Sequence, residues 1–145
     1  MYKSILIPLE NTSVDRTILD HIQPLARMTG ARIVLIHVAD GYVARNQDQL
    51  NLEDSEEMKV DRKYLADCER ELTGAGFQVT AHLRQGEPAE QILRLASEQS
   101  CDLIAMATHG HGFIKDTLLG SVANQVRHKT SIPILMVRGP AQISR

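Results

Sequence analysis

Residues 4–38 read Ser4-Ile5-Leu6-Ile7-Pro8-Leu9, then a polar turn Glu10-Asn11-Thr12-Ser13, then Ile18, Ile22, Leu25 and Ala26 at helical spacing, then Gly30, then Ile33-Val34-Leu35-Ile36-His37-Val38. The two outer runs are continuously apolar and of strand length, which is the pattern of strands buried on both faces in a parallel sheet. The middle stretch carries a single apolar stripe, as an amphipathic helix does. Thr12 or Ser13 is placed to cap that helix, with Asp15 three residues after Thr12 in a near capping box. Gly30 is placed to stop it.

The same alternation continues along the chain. Asp40 to Leu52 shows no period and reads as a long loop. Asp54 to about Thr73 is helical and charged, anchored by Met58, Leu65 and Leu72, and ends at Gly74 and Gly76. Gln78 to Arg84 alternates apolar and polar, as a more exposed strand does. Pro88 takes the first position of a helix lined by Ile92, Leu93, Leu95 and Ala96. Asp102 to Ala107 is a fourth strand, Gly120 to His128 a helix opened by Gly120-Ser121, Ile134 to Val137 a fifth strand, and Ala141 to Arg145 a frayed tail. Helices alternating with strands in this way imply one doubly wound, Rossmann-like α/β domain over residues 1–145, with a parallel sheet and helices on both faces.

Composition narrows the function. The 145 residues carry a net charge of -2, 43% hydrophobic and 23% charged residues, 3% aromatics and no Trp. A near-neutral balance is not that of a DNA-backbone binder, and so few rings leave no stacking platform for single strands. No run approaches the roughly 20 apolar residues of a membrane span, and the first residues lack a signal-peptide pattern. A cytoplasmic location is the expectation. Cys68 and Cys101, far apart and without CxxC spacing, read as reduced structural thiols.

In an open parallel sheet, ligands bind beyond the carboxyl ends of the strands where the strand order reverses. The loops there are Pro8 to Thr12, Val38 to Tyr42, Gly86 to Pro88 and Thr108 to Leu119. The last holds Gly110 and Gly112, which allow a tight turn and an anion nest of N–H groups. It runs into Gly120-Ser121, where a helix N-terminus and a hydroxyl favour phosphate. The alternative is that these glycines only shape a loop and Ser121 only caps a helix. The segment is not a Walker A motif, since no Gly-Lys-Ser/Thr occurs, nor a dinucleotide GxGxxG after the first strand. His109 and His111 flank Gly110, but neither Cys nor clustered carboxylates complete a metal site there. His109 is expected to fix the loop by hydrogen bonding. Lys115-Asp116 reads as an exposed charge pair, Asp40 as a turn residue, and Glu53 to Glu57 as an acidic helix start.

At these residues the chain resembles the universal stress protein family over nearly its whole length. The matching pieces are Pro8-Leu9-Glu10 for the family's Pro-x-Asp, His37-Val38 ending the second strand, and Gly86-Glu87-Pro88-Ala89 opening the third crossover. They continue with His109-Gly110 followed by Leu118-Leu119-Gly120-Ser121-Val122, and with Pro133-Ile134-Leu135-Met136-Val137. The family's ATP-binding branch carries Gly-x2-Gly-x9-Gly-Ser/Thr, of which Gly110 and Gly120-Ser121 supply the last two parts. The resemblance implies a five-stranded parallel sheet in the order 3-2-1-4-5, with the ends of strands one and four side by side. It also implies an adenine nucleotide (ATP, ADP or AMP), with Mg or Mn carried mainly by phosphate oxygens. Val38 would meet the adenine through its backbone, Pro8, Leu9 and Glu10 would lie beside base and ribose, and Gly110, Gly120, Ser121 and Val122 would hold phosphates. Ala107, His109, Gly112 and Ala123 complete the expected binding set, and a homodimer through Ile134 to Val137 is expected.

Two positions depart from the family pattern. Ala107 replaces the first motif glycine, and its Cβ, if aimed at the ribose, narrows the approach by one methyl group. Glu10 replaces the usual Asp and is one methylene longer. The implied role is a nucleotide-binding stress sensor or regulator with slow or no hydrolysis, because no catalytic base, arginine finger or Walker lysine is present. Two alternatives stay open: a weak ATPase with His109 or Glu10 orienting water, and a nucleotide-free interaction module of the same fold.

Overall fold

The structure is a computed structural model describing residues 1–39, 56–108 and 118–139, with positions 118 and 119 described by backbone only. Its elements are β1 (Ser4–Pro8), α1 (Val14–Thr29), β2 (Arg32–Ala39), α2 (Glu56–Gly74), β3 (Val79–Gln85), α3 (Pro88–Glu98), β4 (Leu103–Thr108), α4 (Leu118–Lys129) and β5 (Ile134–Arg138). The strands form one sheet in the order β3-β2-β1-β4-β5, and every pairing is parallel. Both expectations, the doubly wound architecture and the strand order, hold. The sequence loop at Asp40 to Leu52, positions 109–117 of the loop Thr108 to Leu119, and the tail Ala141 to Arg145 lie outside the described residues.

The apolar runs become central strands because both of their faces are covered. Ile5, Ile7, Ile33, Leu35 and Ala105 pack with Ile18, Leu19 and Ile22 of α1 and Leu65, Cys68 and Leu72 of α2. Leu6, Val34, Ile36, Ile104 and Met106 pack on the other side with Ile92 and Leu95 of α3 and Val122, Ala123 and Val126 of α4. Side chains alternate across a strand, so one run feeds both layers. Burying each such side chain contributes about 1.5–3 kcal/mol. β3 is partly exposed along its length, as its alternating sequence requires.

The element ends follow local chemistry. Gly30 takes a left-handed φ of 72° and donates its N–H to the Ala26 carbonyl, ending α1. Pro88 opens α3, and the Glu87 carboxylate accepts the Glu90 N–H at 2.8 Å. Two expectations need correction. Ser13 occupies the cap position of α1, but its side chain makes no capping bond. The carboxylate of Asp15 satisfies the preceding turn instead. The last helix starts at Leu118, so Gly120-Ser121 lies within its first turn rather than opening it. Both cysteines are buried and free, as expected, and burial pushes both thiols up from their ordinary range.

Candidate functional site

The crossovers place α1 and α2 on one face and α3 and α4 on the other, so the winding reverses between β1 and β4. Ile5 pairs with Leu103 and Leu6 with Ile104, which sets the ends of these two strands together. β1 is thus followed by a helix on one face and β4 by a helix on the other, the arrangement that in open parallel sheets marks the place where ligands bind. Val38 is the penultimate residue of the adjacent strand β2, in register with Arg84 of β3.

The turn after β1 is held by hydrogen bonds from every side. The Leu9 N–H donates to the Ile36 carbonyl at 2.8 Å, extending the ladder one residue past β1. Asp15 accepts the Glu10 N–H on one oxygen at 2.9 Å and the Asn11 N–H on the other at 2.8 Å. The Tyr64 hydroxyl, from α2, donates to the same carboxylate at 2.6 Å. Asp15 is 1% exposed. Burial pushes its carboxyl above the usual range, against the lowering effect of the Tyr64, Glu10, Asn11 and Thr12 hydrogen bonds. Burial and the Asp15 carboxylate push the Tyr64 phenol upward, so it stays a donor.

A second buried group lies beside the first. His37 Nδ1 donates to the Leu9 carbonyl at 2.8 Å. Its Nε2 lies 3.1 Å from Asp61 Oδ2, and Asn11 Nδ2 donates to Asp61 Oδ1 at 3.0 Å. A carbonyl only accepts, so Nδ1 carries a proton. The contact of Nε2 with a carboxylate oxygen needs another between them. Asn11 is left-handed, with φ 65°, a conformation that Asn tolerates better than most residues. Among the described residues no buried side-chain nitrogen or oxygen lacks a partner, so burying this polar set is compensated.

The expected binding residues fall into three groups. Pro8, Leu9, Val38, Ala107, Val122 and Ala123 are buried. Whatever the last four and Leu9 offer a ligand comes from their backbone, since their side chains pack in the core. Ala107 is 0% exposed and packs in the α1-side core, so its methyl group points into that core. Glu10 is half-buried and accepts the Thr12 hydroxyl at 3.3 Å, while Ser121 is exposed in the first turn of α4. Gly120 is its half-buried neighbour. His109, Gly110 and Gly112 lie outside the described residues. Among the described residues, no three His, Cys, Asp or Glu side chains are grouped to hold a metal ion. No described helix is long and apolar enough to cross a membrane.

Sequence reasoning missed Asn11, Asp61 and Tyr64, and took Asp15 for a capping-box residue only. The signal was present: Asp15 and Asp61 interrupt apolar stripes, three residues before Ile18 and three after Met58 respectively. A carboxylate on the buried side of a helix needs a partner.

Known proteins share this fold. The model of the universal stress protein family matches residues 1–138. A universal stress protein of Methanothermobacter thermautotrophicus is 31% identical over 147 residues, covering 95% of this chain and 97% of its own. The solved structure of hypothetical protein MJ0577, from Methanocaldococcus jannaschii, matches with a TM-score of 0.80 at 27% identity, covering 98% of this chain and 99% of that one. The universal stress protein from Archaeoglobus fulgidus, solved in complex with dAMP, shares the fold with a TM-score of 0.70 at 19% identity over 94% of this chain and 98% of its own.

Proposed function

The chain belongs to the universal stress protein family, and we propose that it is a single nucleotide-binding domain that takes ATP or a related adenine nucleotide at the crevice between β1 and β4. The observation that carries this reading is the pairing of β1 with β4, which sets two complementary features at the carboxyl edge of the sheet. On one side is the pinned turn Leu9-Glu10-Asn11. On the other is the first turn of α4 with Gly120 and Ser121. A helix N-terminus directs N–H groups and a positive dipole end toward an anion, and the Ser121 hydroxyl adds a donor. The turn presents the Glu10 carboxylate, an acceptor suited to ribose hydroxyls. The dAMP complex of the Archaeoglobus fulgidus protein supports the nucleotide class.

The base lies against the backbone of Val38 and the Pro8 to Glu10 segment, and the phosphates against Gly110, Gly120, Ser121 and Val122. Mg or Mn arrives as part of the nucleotide complex, carried mainly by phosphate oxygens. The role that follows is a cytoplasmic stress regulator with slow or no hydrolysis, in which the nucleotide selects a protein partner. Homodimers form through β5, an edge strand whose Met136 is 45% exposed; an edge strand can pair with a second copy.

The test is direct. Purified protein is denatured, the precipitate removed, and the supernatant run on an anion-exchange column. Adenine nucleotide co-eluting in near-stoichiometric amount supports the proposal. A nucleotide-free protein that also gives no titration heat with Mg-ATP overturns it.

A further inference from the structure

Asp61 lies in the apolar stripe of α2, between Met58 and Leu65, both 3% exposed. An aliphatic side chain there would complete the packing without the cost of burying a carboxylate. Its two oxygens are divided between two targets in the β1–α1 turn. Through His37, Oδ2 reaches the Leu9 carbonyl; directly, Oδ1 reaches the Asn11 side chain. These targets lie on either side of Glu10. Asn11 sits in a left-handed conformation that its bond to Asp61 helps to hold.

We propose that Asp61 is a positioning residue for the nucleotide site: through His37 and Asn11 it fixes the peptides on both sides of Glu10, and so makes nucleotide affinity depend on how α2 is seated. The proposal rests on the nucleotide-binding reading above. Asp15 contributes the complementary hold from α1, gripping the N–H groups of Glu10 and Asn11. With Asp15 alone, the Leu9 carbonyl loses its anchored imidazole and the Asn11 side chain loses its acceptor. The Glu10 carboxylate then leaves from a peptide free to rock. Asp61 touches neither base nor phosphate in this arrangement; it acts only through the turn.

Two substitutions separate positioning from bulk stability. Asp61→Asn keeps the geometry: its amide oxygen accepts from Asn11 and its NH2 donates to a neutral His37 Nε2. Asp61→Ala loses both bonds. Binding of Mg-ATP and of AMP is measured by titration calorimetry, and amide hydrogen exchange is followed in the ligand-free protein. Asp61→Ala is expected to weaken binding about tenfold and to speed exchange at Glu10 and Asn11 about tenfold, while Ile5 to Ile7 keep their protection. Asp61→Asn is expected to restore both to within about threefold of wild type. Asn11→Gly, which tolerates the left-handed φ but releases Asp61, gives the same direction of change without emptying the core, and replaces Asp61→Ala if that variant does not fold. Unchanged affinity in Asp61→Ala, equal losses in the Ala and Asn variants, or faster exchange spread over the whole sheet each overturn the proposal. A wild type that binds neither nucleotide defeats the nucleotide reading instead. The exchange data then still decide the positioning claim: loss confined to Glu10 and Asn11 and reversed by Asn supports it, and no change overturns it.

Discussion

The two sides of the proposed nucleotide site are built on opposite principles. The turn proposed for the base side, Leu9 to Asn11, is fixed by buried Asp15 from α1, Asp61 from α2 and His37 from β2 and by half-buried Tyr64 from α2. The α4 side offers main chain in a first helical turn and an exposed hydroxyl, Ser121. Changes on the base side should therefore move stability and affinity together. Changes on the α4 side should move affinity alone.

The largest expected effect is on the base side. Asp15→Ala leaves two turn N–H groups and a half-buried phenol without their acceptor, and should cost about 3 kcal/mol of stability. Urea unfolding measures it, and a loss below about 1 kcal/mol would show that the turn is not held as described. The opposite signature belongs to Gly120→Asp. An acidic residue suits the first turn of a helix, so the unfolding midpoint should stay within error of wild type. Affinity for Mg-ATP should still fall about 100-fold, which corresponds to about 2.7 kcal/mol.

A smaller effect tests the charge on Asp15. Its carboxyl is raised in the folded chain, so the folded state holds that proton to higher pH than the unfolded state does. The resulting contribution to stability is complete below the ordinary aspartate value of 3.8 and is lost as pH rises through the folded value. Urea midpoints measured over a pH series should show wild type losing stability relative to Asp15→Asn across that rise. A difference that does not vary with pH contradicts it. The smallest effect is Ser121→Ala, expected to weaken binding about fivefold, near 1 kcal/mol, with no change in the unfolding midpoint.

This contrast also explains what could be read from the sequence. The apolar runs at Ile5 to Ile7 and Ile33 to Val38 declare a parallel sheet because they are buried on both faces. The family motif then orders the strands. A helix start near Gly120-Ser121 was legible from the small residues there, two positions late. The base-side hold was not, because Asp61 and Asn11 are 50 positions apart and only the fold brings them into contact. The side taken by Ala107 was illegible for a related reason. A motif gives its position but not its side, and the pleat turns its methyl group into the core rather than the crevice.

The central claim is that the crevice between β1 and β4 binds an adenine nucleotide. Calorimetric titration of the purified wild type and of Gly120→Asp with Mg-ATP tests it most directly. Saturable binding in the wild type, one nucleotide per chain, that is lost in Gly120→Asp is the predicted result. A wild type without binding heat, or a Gly120→Asp variant that binds as tightly as wild type, would contradict it.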